Sequence, residues 1–392
     1  MTLNPDLIAT QSPPVMEARR WIADKDFTSR PLINVSQAAP LDPPPDALRK
    51  VMAEAVLSQN DAHLYGPVRG RPALRNKIAE TWMRDYGGDV TAENVTITSG
   101  CNQAFCAAMA SIAKRGDAVI LPTPWYFNHQ MHLTMNGIEV IPMPCGAGML
   151  PDLEAARALI SDSVKALVLV TPNNPTGAEY PSDLVGAFFD LAEEHRIALI
   201  VDETYRDFDS RTGAPHDLFI RPNWGDTLIQ LYSFSKAYRL TGHRVGALVT
   251  GADRQNEIEK FLDTHTICPN QVGQIAALWG MENLTQWLAG ERDEILSRRA
   301  AIENGLNNSP DWELKGCGAY FAYVAHPFDQ RSDEIAKALV HQASVLMLPG
   351  TMFAPLSGDP EGLAEGHLRI AFANIDANGI SALIDRLNAF TL

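Results

Sequence analysis

Between residues 47 and 279 the chain alternates short apolar runs with stretches of helical period, and its unusual polar clusters begin where apolar runs stop. The runs are 95–98, 118–121, 166–170, 198–201, 227–234 and 245–250. Between them lie segments such as Ser182–His195, where Leu184, Phe188, Leu191 and Ala192 fall at i, i+4, i+7 and i+8 on one helical face, with Ser182 as the expected N-cap. This is the pattern of an α/β protein whose parallel strands are buried by helices. In such an open sheet, ligands sit at the carboxyl ends of the strands. The clusters after the runs can therefore converge on one ligand.

The chemistry of those clusters is consistent. The 227–234 run ends in Ser233-Phe-Ser235-Lys236-Ala-Tyr-Arg, with Lys236 just past it and Arg244 close behind. A lysine held at a strand end can form an imine with an aldehyde, while the serines and Arg244 supply donors for a phosphate. After 198–201 comes Asp202, a carboxylate able to pair with a pyridine nitrogen and keep it protonated. Tyr205 and Asn174 can donate to a phenolate oxygen. The Gly100-Cys101-Asn102 turn opens an expected helix over 103–114, whose free N–H groups can receive a phosphate. Trp125, Tyr126 and Phe127 can stack on a ring. Singly, each has an ordinary reading: a solvated loop lysine, a capping aspartate, an Asn-Pro turn, a helix start, a core aromatic. Together and in order they suit pyridoxal 5'-phosphate (PLP).

With 392 residues and 46% hydrophobic content the chain can build one large domain and a smaller one. Near Leu284 the pattern changes to a long charged helical stretch followed by strand-like runs at 316–324 and 344–350. We expect a large domain over 46–284 and a smaller α+β domain from 1–45 with 285–392. A net charge of −15 argues against nucleic acid and anionic membranes as partners. Five cysteines without a C-x-x-C, an amino terminus without a signal-like pattern, and no apolar run near the roughly 20 residues of a membrane span lead us to expect a soluble, cytoplasmic protein.

Asn174-Pro-Thr-Gly, Asp202-x-x-Tyr205, Ser-x-Ser-Lys236 with Arg244, and His367-Leu-Arg369-Ile-Ala-Phe together resemble the class I/II, fold type I, PLP-dependent aminotransferases over nearly the whole chain. The resemblance implies a mostly parallel seven-stranded sheet in an α/β/α sandwich plus a smaller α+β domain. It implies Lys236 as the Schiff-base lysine and proton shuttle, Asp202 on the pyridine nitrogen, Tyr205 and Asn174 on the phenolate, and Tyr126 on the ring face. Ser233, Ser235, Arg244 and the backbone of Gly100 to Asn102 would bind the phosphate. Arg369 would clamp the substrate carboxylate through a fork that lysine cannot copy. Tyr65 matches a tyrosine that crosses to the partner subunit's phosphate, so a homodimer with composite sites follows. Two departures stand out. Ala38 replaces a glycine common in relatives, adding a methyl to the substrate pocket, and His243 replaces a tryptophan as a packing residue.

The implied reaction moves the amino group of an L-amino acid to a 2-oxo acid by a ping-pong route. Trp125, Phe127, Tyr320 and Phe321 lean the substrate towards neutral or aromatic amino acids, with Arg69 and Arg71 the remaining candidates for a second carboxylate. The alternative is a C–S lyase or related elimination enzyme of the same fold. A third reading, the effector module of a transcription regulator, lacks an appended helix-turn-helix and sits badly with the acidic charge.

Overall fold

The computed structural model describes residues 2–355 and 364–392. Its main sheet has seven strands: β1 Val95–Thr98, β2 Ala118–Thr123, β3 Glu139–Pro144, β4 Val164–Val170, β5 Ala198–Asp202, β6 Leu228–Ser233 and β7 Gly246–Thr250. Their order is β1-β7-β6-β5-β4-β2-β3. Only β7 runs antiparallel to its neighbours, and the remaining pairs are parallel. Strand alternation divides the core between the two faces. Leu199, Val201, Leu228 and Tyr232 join one apolar cluster, with helices Pro72–Tyr86, Ser182–His195 and Gln271–Asn283 over it. Ala198, Ile200, Ile229 and Leu231 join another, under helices Cys101–Ile112 and Ala252–Thr266. The result is the expected α/β/α sandwich.

A second sheet is antiparallel, with strands β8 Glu313–Gly318, β9 Phe321–Ala325, β10 Leu348–Pro349 and β11 His367–Ala371 in the order β10-β11-β9-β8. Helices Thr285–Asn307 and Ala377–Asn388 cover it through Ile295, Ile302, Leu383 and Leu387. Val35 belongs to this core, and Ile33–Asn34 pairs in parallel with Val345–Leu346. Among the described residues no helix is long and apolar enough to cross a membrane.

Several local expectations need correction. Strand β3 is absent from the apolar runs because it is an edge strand in which exposed Glu139, Pro142 and Pro144 interrupt the apolar pattern. The 227–234 run yields a strand only over Leu228–Ser233, and the chain turns into the short helix Phe234–Ala237, which carries Lys236. The helix expected over 103–114 spans Cys101–Ile112, so Cys101 and Asn102 sit in its first turn. Ser182 is not the N-cap of its helix; Pro181 is, and no side chain caps it. The 344–350 run splits between two sheets.

Candidate active site

The carboxyl ends of β4, β5 and β6 lie side by side, with Val170 opposite Asp202 and Asp202 opposite Leu231 in the ladders. A cavity of about 130 Å3 opens there. Asp202 enters it from β5 with Thr204 and Tyr205 just beyond, Asn174 from the loop after β4, and Ser233, Ser235 and Lys236 from the end of β6. Cys101 and Asn102 come from the first turn of Cys101–Ile112, Tyr126 from the loop after β2, and Arg244 from the turn before β7. A larger open groove of about 780 Å3, between Arg84, Arg206 and Arg292, contains none of these groups. Chemistry rather than size selects the site.

Lys236 is part-buried, and its Nζ donates to the Ala38 carbonyl at 2.5 Å and lies 5.7 Å from the Tyr205 ring centroid. Burial, helped by the positive charges of Arg244 and Arg369, pushes its amine down to about 7. A neutral amine is the form that attacks an aldehyde. When apo-protein is mixed with PLP, the rate of cofactor attachment is therefore expected to rise with pH through about 7 and then level off. Stopped-flow absorbance would show a rate still climbing tenfold per pH unit above 8 if the lysine kept an ordinary value.

Asp202 is buried with His129, whose Nε2 lies 3.3 Å from Oδ2, while the Thr204 N–H donates to Oδ1 at 3.0 Å. Burial pushes this carboxyl up, but the hydrogen bond and charge of His129 and the bonds from Thr204 outweigh it, leaving the group below its ordinary range. It remains an anion at neutral pH. His129 was not among the residues singled out from sequence. It lies one helical turn past Tyr126 in Phe127–Met135, its ring stacked on Phe105 at 4.0 Å. A histidine following the aromatic cluster by i, i+3 is the one local signal that could have found it. Tyr126 accepts from Asn128 Nδ2 at 2.9 Å and donates to Asn102 Oδ1 at 3.3 Å, which fixes its ring at the cavity wall. The Tyr205 hydroxyl is pushed well up by burial and by the neighbouring Tyr126, so it stays a proton donor.

At the phosphate-like end, Ser233 Oγ accepts from the Ser235 N–H at 3.2 Å, and the exposed Arg244 donates from Nη1 to the Thr241 carbonyl at 2.9 Å. Gly100 has φ +86°, and a Cβ there would collide with the Arg244 guanidinium. The positive φ favours glycine here, and the mobile tip of Arg244 occupies the space beside it. His243 ends the one-turn helix before Arg244 and does not line the cavity.

Arg369, in the middle of β11, is 2% exposed. Nη1 donates to Asn174 Oδ1 at 2.8 Å and Nη2 to the Ser36 carbonyl, and Nε has no hydrogen-bond partner among the described residues. Its guanidinium lies 5.1 Å from the Phe321 ring and 5.0 Å from Phe353. Burial pushes it down to about 10, so it is still cationic at neutral pH. Of the other residues singled out, Ala38 meets the site through its carbonyl, whereas Tyr65 is 80% exposed and lines no part of this chain's own cavity. Phe127 packs on Phe353, Tyr320 on Tyr205, and Trp125 turns away towards Gln11 and Gln130. Arg69 is engaged by Glu93 and Thr96, and Arg71 by Asp61 and Gln271.

An amine lowered towards neutrality, an anionic carboxylate at the next strand end, and a helix N-terminus with serines and an arginine form a donor set that fits PLP, while Arg369 does not line this cavity and joins it through Asn174. Fold and site thus define a fold type I PLP-dependent enzyme. The chain belongs to the aminotransferase class I and II family, whose model matches residues 30–387. It is 29% identical over 343 residues to an aspartate aminotransferase of Pyrococcus horikoshii, covering 85% of this chain and 84% of that protein. It is 26% identical over 393 residues to an aromatic aminotransferase of Arabidopsis thaliana, covering 97% and 94%. The solved aspartate aminotransferase of Thermus thermophilus with maleate has the same fold, with a TM-score of 0.90 at 24% identity and 99% of each chain covered. The protein is a PLP-dependent aminotransferase.

Proposed function

We propose that the protein moves the amino group of a neutral or aromatic L-amino acid to a 2-oxo acid by a ping-pong cycle. The observation that carries this reading is the pairing of one lowered lysine with one buried arginine held between two aromatic rings. When bound, PLP supplies the carbon that receives the amino group and the electron sink for the bond broken at the substrate Cα. Lys236 would attach the cofactor through Nζ, and the amine, once freed, would be the group placed to take the Cα proton and give it back. Asp202 keeps the pyridine nitrogen protonated from its pairing with His129. Tyr205 donates to the phenolic oxygen, and so does the Asn174 amide, whose Oδ1 is already taken by Arg369. Tyr126 covers the ring, while Ser233, Ser235, Arg244 and the N–H groups of Gly100 to Asn102 hold the phosphate.

Arg369 would grip the α-carboxylate and so orient the substrate Cα, which would select the bond that breaks. The Ala38 methyl narrows the pocket. The aromatic surroundings of Arg369 and the engagement of Arg69 and Arg71 by other partners support a side chain without a second carboxylate. The aromatic aminotransferase among the relatives agrees with that lean. Exposed Tyr65, with Leu57 and Leu64 exposed as well, supports a homodimer in which Tyr65 reaches the partner's phosphate site. A cytoplasmic location and a division into 46–284 against 1–45 with 285–392 belong to the same reading.

Arg369→Lys tests the carboxylate grip. A lysine keeps the charge and loses the fork, so kcat/KM is expected to fall by about 10²-fold for amino acid and 2-oxo acid alike. An unchanged kcat/KM would remove Arg369 from the substrate site. Single turnovers with phenylalanine and with aspartate test the lean, which fails if aspartate reacts faster.

A further inference from the structure

The segment after β5 is held from the face of the sheet opposite the cofactor cavity. Alternation places Leu199 and Val201 in the core on one side and Ala198 and Ile200 in the core on the other. Asp202 continues the second set and enters the cavity, whereas Glu203, 1% exposed, turns to the first. There its Oε2 accepts from the Tyr86 hydroxyl at 2.7 Å and from Gln230 Nε2 at 2.7 Å, and lies 3.5 Å from His216 Nε2. Gln230 is itself fixed, accepting from Trp82 Nε1 at 3.0 Å. The Glu203 N–H donates to the Leu231 carbonyl at 2.9 Å, and the Glu203 carbonyl accepts from the Arg206 N–H at 3.1 Å.

Arg206 closes the other end of the turn. Its guanidinium lies 4.4 Å from the Trp82 ring and 4.8 Å from Tyr86, and it pairs with Asp85 at 2.6 Å. Between these two anchors, Thr204 and Tyr205 face the cavity, and the Thr204 N–H holds Asp202 Oδ1 at 3.0 Å. The reverse-face network therefore grips the main chain on both sides of the residues that meet the cofactor.

We propose that Glu203 is a positioning residue for the cofactor: anchored by Tyr86, Gln230 and His216 on the far face of the sheet, it sets the placement of Asp202 and Tyr205 through the backbone. The inference rests on the reading that Asp202 and Tyr205 hold PLP. It requires the hydrogen-bond acceptor of Glu203 rather than its charge, since the carboxylate reaches no group in the cavity.

The test compares Glu203→Ala with Glu203→Gln, whose amide oxygen still accepts from Tyr86 and Gln230. PLP affinity is measured by absorbance titration of the apo-protein, alongside the visible spectrum, kcat, KM and the thermal midpoint. Glu203→Ala is expected to weaken PLP binding by about tenfold and to lower kcat by up to about 10²-fold with KM nearly unchanged. Glu203→Gln is expected to restore all of these to within about threefold. A Glu203→Ala protein with a lower thermal midpoint but unaltered PLP affinity and spectrum would overturn the proposal, and so would a glutamine variant as impaired as the alanine one. Should Glu203→Ala fail to fold, Tyr86→Phe removes one of the same hydrogen bonds and is expected to weaken PLP binding about threefold to tenfold. No change there would overturn the proposal equally. Asp202→Ala measured in parallel separates the two ideas: an unaltered PLP affinity and spectrum would undo the site reading itself, whereas a change in Asp202→Ala but not in the Glu203 and Tyr86 variants would undo only the role of Glu203.

Discussion

Lys236→Ala is expected to lower kcat/KM by about 10⁴-fold or more while leaving a folded protein that still binds PLP noncovalently. The size follows from the amine's two tasks, attaching the cofactor and carrying the Cα proton, for which the cavity offers no substitute. The other titratable groups around it are a carboxylate below its ordinary range, the Cys101 thiol and the Tyr126 and Tyr205 hydroxyls pushed above theirs by burial, and the guanidinium groups of Arg244 and Arg369. None can exchange a proton at Cα near neutral pH as an amine at about 7 can. Folding is expected to survive because burying a lysine with a lowered pKa is unfavourable, and removing it relieves that cost. Single-turnover rates would check this, and a variant within tenfold of the parent would assign the proton transfer to another residue.

Asp202→Asn is expected to cost about 10³-fold in kcat, close to 4 kcal/mol of barrier, with a smaller change in KM. An asparagine of the same shape can still accept from the Thr204 N–H, so the turn should persist. What it loses is the negative charge that keeps a pyridine nitrogen protonated, and with it the electron sink for the Cα bond pair. His129 then faces a neutral amide and no longer supports a charge at the site. Steady-state kinetics and the pH dependence of the cofactor's visible absorption would check this. A kcat within threefold of the parent would mean that the ring nitrogen needs no anionic partner here.

Why the chemistry was readable and parts of the scaffold were not has a physical basis. Strands β1, β2 and β4 to β7 are buried on both faces and therefore announce themselves as apolar runs. Strand β3 does not, because its edge position tolerates prolines and an exposed Glu139. The pairing of Ile33–Asn34 with Val345–Leu346 is too short and too distant in sequence to leave any pattern. In the site, Lys236, Asp202, Tyr205 and Asn174 were legible because each follows an apolar run and carries an unusual functional group. His129 and Glu203 were not. One is a polar residue inside a helix whose partner lies on a different strand, and the other sits between two motif residues but serves the opposite face. Arg69, a candidate for a second carboxylate, is taken by Glu93 and Thr96, contacts made only by the folded chain.

The most direct measurement is the absorption spectrum of the PLP-loaded protein on adding a single L-amino acid without a 2-oxo acid. The visible band of the lysine-bound cofactor should be lost stoichiometrically with release of one 2-oxo acid, a near-ultraviolet band of the amino form should replace it, and a different 2-oxo acid should reverse the change. Continuous production of 2-oxo acid and ammonia with the visible band retained would contradict transamination and make the protein an elimination enzyme.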